Sequence, residues 1–112
     1  MTADIDLLLD FEKENLLRFE NTLKELSYRS RVPIPVSSLS DEAKRTELVK
    51  EKNMIAYSFY NSRSDFMTVD VLLDTPFSFD KLWQTRDTRK IDNFEVHLVS
   101  VENLIEMKKY SN

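Results

Sequence analysis

Three aspartates are the residues of this chain best suited to metal chemistry. Asp4 and Asp6 flank one apolar residue at the start of an apolar run, so in a strand both carboxylates project from the same face. Asp70 lies inside a second apolar run, residues 66–74, where an uncompensated charge would be costly. If the two strands pair side by side, the three carboxylates converge. Oxygen ligands of this kind select Mg²⁺ or Mn²⁺ over zinc or copper.

Such a site suits phosphate chemistry. Divalent ions held by carboxylates neutralise a triphosphate, orient it and lower the pKa of an attacking hydroxyl. An Asp-x-Asp pair alone is frequent in acidic proteins, so a structural α/β domain with chance acids is an alternative. Asp70 favours the metal interpretation, because acids are seldom placed within apolar strands.

The composition excludes several other kinds of site. The chain has 112 residues, which suits one domain spanning residues 1–112. It has no cysteine and one histidine, His97, which excludes disulfides, thiolate zinc sites and multi-histidine sites. The net charge of -4 argues against general nucleic-acid binding. No apolar run approaches the roughly 18 residues of a membrane helix and no signal peptide is visible, so we expect a cytoplasmic protein.

The residue pattern predicts an α/β or α+β fold. Strands are expected at residues 4–9, 54–60, 66–74 and 94–99, the second and third joined as an antiparallel hairpin. Helices are expected at residues 13–26, at 41–52 after an N-cap at Ser40, at 79–86 after a cap at Ser78, and from residue 100 onward. This order gives a mixed sheet with flanking helices.

Apolar spacing predicts which side chains the helices bury. Apolar residues that recur at helical intervals in the first and last helices are expected to pack inward: Leu16, Phe19, Leu23, Leu26, Leu104, Ile105 and Met107. Trp83, on the short third helix, is expected to pack into the core of the protein. His97 shares a strand face with Glu95, which favours an exposed edge position over a catalytic role.

The chain contains no glycine. Backbone positions with positive φ must therefore fall to Asn or Asp, and Asn53, Asn61 and Asn93 lie where turns are expected. The same absence excludes a glycine-rich phosphate loop within this chain.

Seven segments, taken in order and spacing, carry a resemblance that covers nearly the whole chain. They are TADIDLL (2–8), LKELSYR (23–29) with VPI (32–34), EKNM (51–54), FYN (59–61), VDVLL (69–73) and VSVENLIEMK (99–108). With them the chain resembles the nucleotidyltransferase superfamily of the polymerase-β type, in particular its small, minimal nucleotidyltransferase-like proteins.

The resemblance implies a fold, a reaction and a set of site residues. In that family an Asp-x-Asp pair and a third acid on a later strand bind the metal ions, which here are Asp4, Asp6 and Asp70. Members transfer a nucleoside monophosphate, for example AMP from ATP, to a hydroxyl. Lys108 falls where relatives keep a lysine in the last helix and is a candidate triphosphate contact. A solvated cation at a helix end is the alternative, and the one we favour.

The chain also departs from the family pattern. Relatives hold the triphosphate through a Gly-Gly or Gly-Ser turn just upstream of the acid pair, and they continue beyond the last lysine-bearing helix. The resemblance therefore implies that this chain is incomplete at both ends. A non-catalytic, degenerate relative is the alternative function. It would act through a protein partner, as an antitoxin-like protein does, or as a subunit of a homo-oligomer.

Overall fold

The computed structural model describes residues 3–64 and 67–111 of the chain. These divide into two compact units, Met1–Asp74 and Thr75–Asn112. Strands and helices alternate along the chain, which confirms the predicted α+β class with a mixed sheet and flanking helices. A single domain over residues 1–112 stays a prediction.

The first unit holds a four-stranded sheet, two α-helices and one 3-10 helix. Its elements are β1 Ala3–Leu7, α1 Lys13–Glu25, β2 Tyr28–Ser30, the 3-10 helix Val36–Ser40, α2 Glu42–Lys50, β3 Ala56–Asn61 and β4 Met67–Leu72. The second unit consists of α3 Phe79–Gln84, β5 Asp87–Ile91, β6 Phe94–Leu98 and α4 Val101–Ser111.

The sheet of the first unit has the strand order β1-β4-β3-β2. β1 pairs with β4 in parallel, whereas β4 with β3 and β3 with β2 pair antiparallel. The predicted hairpin of β3 and β4 is therefore confirmed. The strand of Asp70 lies beside the strand of Asp4 and Asp6, which is the condition set above for the three carboxylates to converge. Phe66, expected to open β4, lies outside the described residues.

Alternation along the two central strands builds the core of the first unit. Every second residue of β3 and β4 is buried, and the helices cover that face. The buried core residues of this unit are Leu16, Leu23, Val36, Leu39, Leu48, Tyr57, Phe59, Val69 and Val71. Leu26 was expected among them, but it is 57% exposed because α1 ends at Glu25 and Leu26 is its C-cap.

The helix caps show where sequence reading was one residue off. Asp41, not Ser40, is the N-cap of α2, and its Oδ1 accepts a hydrogen bond of 3.0 Å from the N–H of Ala43. The hydroxyl of Ser40 instead donates to Ser37 within the 3-10 helix, which explains the error. Ser78 caps α3 as expected, accepting from the N–H of Lys81.

Three described residues take the positive φ that glycine would otherwise supply: Ser27 at 69°, Asn53 at 54° and Asp92 at 54°. The prediction that Asn or Asp takes these positions is confirmed for Asn53 and Asp92 and is wrong for Ser27. Asn61 and Asn93 lie at or beside turns, as expected, but neither has a positive φ. Asn61 turns the chain with its side chain, whose Oδ1 accepts a bond of 2.9 Å from the N–H two residues on. Asp92, next to Asn93, makes the turn between β5 and β6.

The second unit is built on an antiparallel pair, β5 and β6. β5 was not predicted, because its sequence DTRKI is polar and all five residues are exposed, so no apolar alternation marks it. Trp83, expected in the core, is 42% exposed. Its ring stacks on that of Phe79, with 6.0 Å between the ring centres, and contacts the ring of His97 edge-on, with 4.7 Å between the ring centres. The guanidinium of Arg86 lies over the Trp83 ring, 3.8 Å from its centre. His97 is exposed, as expected.

The last helix, α4, buries a polar residue instead of its apolar face. Leu104 and Ile105 were expected to pack inward, but they are 44% and 49% exposed, and Met107 is half-buried. The buried residue is Asn103, whose Nδ2 donates a bond of 2.7 Å to the hydroxyl of Thr85. With Asn103 on the buried side of α4, Leu104 and Ile105 lie on its exposed side.

A buried hydroxyl network ties β3 to the segment after β2. Tyr57 is 1% exposed; its hydroxyl donates to the carbonyl of Ile34 and accepts a bond of 2.8 Å from Ser30. Burial raises the pKa of the Tyr57 phenol above its usual value of about 10, against the opposing effect of the hydrogen bond from Ser30. The neutral phenol is therefore the form that the fold requires.

We predict that Tyr57→Phe lowers the free energy of unfolding by about 1–2 kcal/mol, because the carbonyl of Ile34 and the hydroxyl of Ser30 lose a buried partner. Urea unfolding measures the change. Tyr60→Phe is the control, because Tyr60 is 36% exposed, and its effect should stay within about 0.5 kcal/mol. Equal effects of the two variants would contradict the prediction.

The same variant should show a pH dependence. A raised folded-state pKa means that the contribution of the neutral phenol is complete below pH about 10 and is lost as pH rises through the folded value. The stability difference between wild type and Tyr57→Phe should therefore shrink above pH about 10. A constant difference up to strongly alkaline pH would contradict the role of the buried phenol.

Candidate functional site

The face of the four-stranded sheet opposite the core carries polar side chains, and we call it the polar face. Strand register defines its members, because residues paired across neighbouring strands project to the same side. One row consists of Asp6, Asp70 and Ser58, on β1, β4 and β3. The next row consists of Asp4, Thr68 and Tyr60 on the same strands. All three predicted ligands therefore lie on one face.

Asp6 and Asp70 lie directly opposite each other in the parallel pair of β1 and β4. Neighbouring strands are about 4.8 Å apart, so two carboxylates in this arrangement are close neighbours. Like charges facing each other across a strand pair destabilise it. Asp70 is half-buried, whereas Asp6 is exposed. A cation between the two would remove the repulsion, and this is the chemical reason to place one here.

Asp4 projects to the same side but one row along the strand. Two residues of a strand span about 6.6 Å, which separates Asp4 from Asp6 along β1. The Thr68 hydroxyl donates a hydrogen bond to Oδ1 of Asp4. Over residues 3–64 and 67–111, no three acidic or histidine side chains are close enough together to hold a metal ion. The structure thus brings Asp6 and Asp70 together and keeps Asp4 beside Thr68.

The donor set on this face fits a hard divalent cation. All its candidate ligands are carboxylate or hydroxyl oxygens, which suit Mg²⁺ or Mn²⁺ and do not suit soft metals. Mg²⁺ commonly uses one or two carboxylates and completes its shell with waters and substrate phosphates. Asp6 and Asp70 alone meet that minimum, and Asp4 could join them by releasing the Thr68 hydroxyl.

Lys108 lies in the last turn of α4, in the second unit, and is exposed. Its carbonyl accepts a bond of 3.2 Å from Ser111. A cation in the last helical turn interacts favourably with the helix dipole. This is sufficient reason for its presence, and its contact with a triphosphate stays a prediction.

Sequence reading passed over Thr68, although the signal was available. Thr68 precedes Asp70 by two residues in the same strand, so alternation places both on one face. The same reasoning applied to β3 yields Ser58 and Tyr60 once the hairpin register is known. The register itself could not be read from the chain, because it depends on the type and length of the connection between β3 and β4, which the sequence alone does not define.

Comparison of the chain with protein-family models, with curated proteins and with solved structures finds no match. Among the described residues, no helix is long and apolar enough to cross a membrane.

We predict that Asp70→Asn stabilises the metal-free protein. Removing one of two facing charges relieves repulsion worth about 0.5–1 kcal/mol. Urea unfolding in EDTA at low ionic strength measures the gain, which should shrink as salt is added. Asp87→Asn on β5 is the matched control, because Asp87 is an exposed acid in a two-stranded sheet. Destabilisation by Asp70→Asn, or an equal gain from Asp87→Asn, would contradict the arrangement.

Proposed function

We propose that this chain is a nucleotidyltransferase-like domain in which Asp4, Asp6 and Asp70 bind Mg²⁺ or Mn²⁺. It transfers a nucleoside monophosphate, for example AMP from ATP, to a hydroxyl acceptor. One observation carries the proposal: the parallel register that sets Asp6 opposite Asp70, with Asp4 on the same face. The resemblance of the sequence segments supplies the reaction type.

The reaction needs charge compensation and a base. The acceptor oxygen forms a bond to the α-phosphorus of the triphosphate, the bond from that phosphorus to the bridging oxygen breaks, and pyrophosphate leaves with the electron pair. The acceptor proton passes to a carboxylate and then to water. The divalent ion, when bound, supplies Lewis-acid stabilisation of the developing charge. Among the carboxylates, half-buried Asp70 is the one we assign as proton acceptor.

The strands that carry the carboxylates hold them rigidly in position. β4 lies between β1 and β3, and its opposite face contributes Val69 and Val71 to the core. Movement of Asp70 along the strand would therefore displace buried side chains, which close packing resists. A rigid strand holds ligands more accurately than a loop does. This favours a site at Asp70 over a site built from the exposed acids of the helices.

Calorimetric titration tests the metal proposal. Wild-type protein should bind Mg²⁺, and binding of ATP should require the metal, because phosphates complete its coordination shell. Asp70→Asn should weaken Mg²⁺ binding by about tenfold or more, since it removes a ligand charge. Asp87→Asn should leave the affinity unchanged.

Two results would contradict the metal proposal. One is equal Mg²⁺ affinity of wild type and Asp70→Asn, which would place the ion elsewhere. The other is ATP binding that is the same with and without EDTA. The assay needs no acceptor, so it tests the site without knowledge of the second substrate.

The second unit favours a second candidate function, an interaction protein. Large apolar side chains there are exposed, including Phe94 at 73%, Val101 at 66% and Ile91 at 58%. Exposed apolar side chains in this number are typical of surfaces that another protein covers. The chain would then act as a subunit of a homo-oligomer or as a non-catalytic partner.

Light scattering after size-exclusion chromatography tests this candidate. Wild-type protein should associate as its concentration rises, and Phe94→Thr combined with Ile105→Lys should remain monomeric with an unchanged circular dichroism spectrum. Ile55→Thr is the control, because Ile55 is 66% exposed but belongs to the first unit. A wild-type chain that stays monomeric at all concentrations would contradict self-association.

A further inference from the structure

A cleft follows the β2 edge of the first unit and is basic in an acidic protein. Its volume is 940 Å³, and its lining includes the cations Lys24, Arg29 and Arg63 with Glu20 as the acid. The chain as a whole carries a net charge of -4. This local excess of positive charge therefore marks the cleft as a place where an anion is attracted.

Two of the three cations are available to a ligand. Nζ of Lys24 lies 3.4 Å from a carboxylate oxygen of Glu20, so that pair is internally compensated. Arg29 and Arg63 are exposed, and no ion pair within the described part of the chain involves either guanidinium. A guanidinium presents donors in a planar fork that matches phosphate oxygens. The available charge thus favours a phosphate group over a diffuse anion.

Two residues of the cleft lining, Arg29 and Tyr60, lie on the polar face of the sheet, whereas Tyr57 and Phe59 line the cleft from the core face. Arg29 lies opposite Tyr60 in the pairing of β2 with β3, and it therefore projects to the polar face. Tyr60 lies opposite Thr68, which lies opposite Asp4. One row across the four strands thus runs from a cation at the β2 edge to an acid at the β1 edge. β2 and β4 are two strand spacings apart, about 10 Å.

The row between the two ends offers a surface for a ligand. Tyr60 is 36% exposed, lines the cleft, and holds the guanidinium of Arg31 at 5.4 Å from its ring centre. Arg31 adds a further positive charge beside the cleft. A cleft of 940 Å³ lies at the upper end of the range for small-molecule sites and exceeds the need of a lone phosphate. The cleft therefore has room for a larger molecule that carries a phosphate group.

We propose that this cleft binds a phosphate-bearing ligand through Arg29 and Arg63. Resting on the proposed function, that ligand is the acceptor: its phosphate lies at the β2 edge and its hydroxyl extends along the polar face toward Asp70. The acidic half of the face would repel the phosphates, which fixes the orientation of the ligand. Two sources share this chemistry, a small phosphate ester and the end of a single-stranded oligonucleotide.

The binding test is made in EDTA without nucleotide, so its result is independent of the metal site. The probes are a labelled four-residue single-stranded oligoribonucleotide followed by fluorescence anisotropy, and glucose 6-phosphate followed by calorimetry. Binding of the first alone identifies a polynucleotide end as the source, and binding of the second alone identifies a small ester. Either result supports the cleft if the arginine variants below weaken the binding.

Arg29→Ala and Arg63→Ala should each weaken binding about tenfold and reduce its salt dependence. Arg29→Lys should bind more tightly than Arg29→Ala but less tightly than wild type, because lysine keeps the positive charge and lacks the planar, forked donors of the guanidinium. Arg89→Ala is the matched control, an exposed arginine on β5, and should have no effect. Failure of both probes to bind wild type, or equal binding by wild type and the arginine variants, would overturn the proposal.

The acceptor role is tested separately from the cleft. With Mg²⁺ and ATP labelled at the α-phosphate, a bound probe should gain label, and Arg29→Ala should raise its KM about tenfold with little change in kcat. Binding without labelling leaves the cleft as a phosphate site and overturns the acceptor role. Loss of Mg²⁺ binding with the cleft intact overturns the proposed function instead.

Discussion

The parallel pairing of β1 with β4 is the constraint on which the candidate site depends. In its register, Ile5 and Leu7 lie opposite Val69 and Val71 on the core side. A slip of one residue would place an aspartate of β1 on the apolar face and a leucine on the polar one. Burial of Val69 and Val71, 5% and 0% exposed, therefore fixes the position of the carboxylates on the other side.

This pairing also explains why the sheet carries opposite charges at its two edges. β1 and β2 are the outer strands, and β3 and β4 separate them. The core face must be apolar along all four strands, so charges can only occupy the polar face. With acids on β1 and β4 and arginines on and after β2, that face carries both of the sites we propose, one for a cation and one for a phosphate group. A phosphoryl-transfer reaction needs both.

The first unit was predictable from its sequence to a large degree. The strand of Asp70 and the helix 13–26 carry strong periodic patterns, so their positions followed within a few residues. Chemistry suggested that Asp70 belongs to the same site as Asp6, because an uncompensated charge inside an apolar strand is costly. The sequence did not predict which residues lie opposite one another on neighbouring strands. Thr68, Tyr60 and Arg29 are brought into line with Asp4 only by the strand register.

The second unit was predicted less well, and the reason is physical. Amphipathic spacing says that a helix has an apolar side but not that a partner covers it. The residue that α4 buries is Asn103, which is hydrogen-bonded to Thr85. A pair of polar residues gives no periodic signal in the sequence, so this orientation of α4 could not be predicted. Trp83 was assigned to the core by its size, whereas stacking with Phe79 and His97 stabilises it at the surface.

The central claim is that the acids of the polar face bind a divalent cation. Paramagnetic broadening by substoichiometric Mn²⁺ in an amide ¹H–¹⁵N NMR spectrum tests it most directly, because broadening falls steeply with distance from the ion. The account predicts that the amides of residues 4–6 and 69–71 broaden first, while those of the acidic start of α1 and of Asp87 stay sharp. Broadening spread evenly over all exposed acids, with none favoured on β1 and β4, would contradict it.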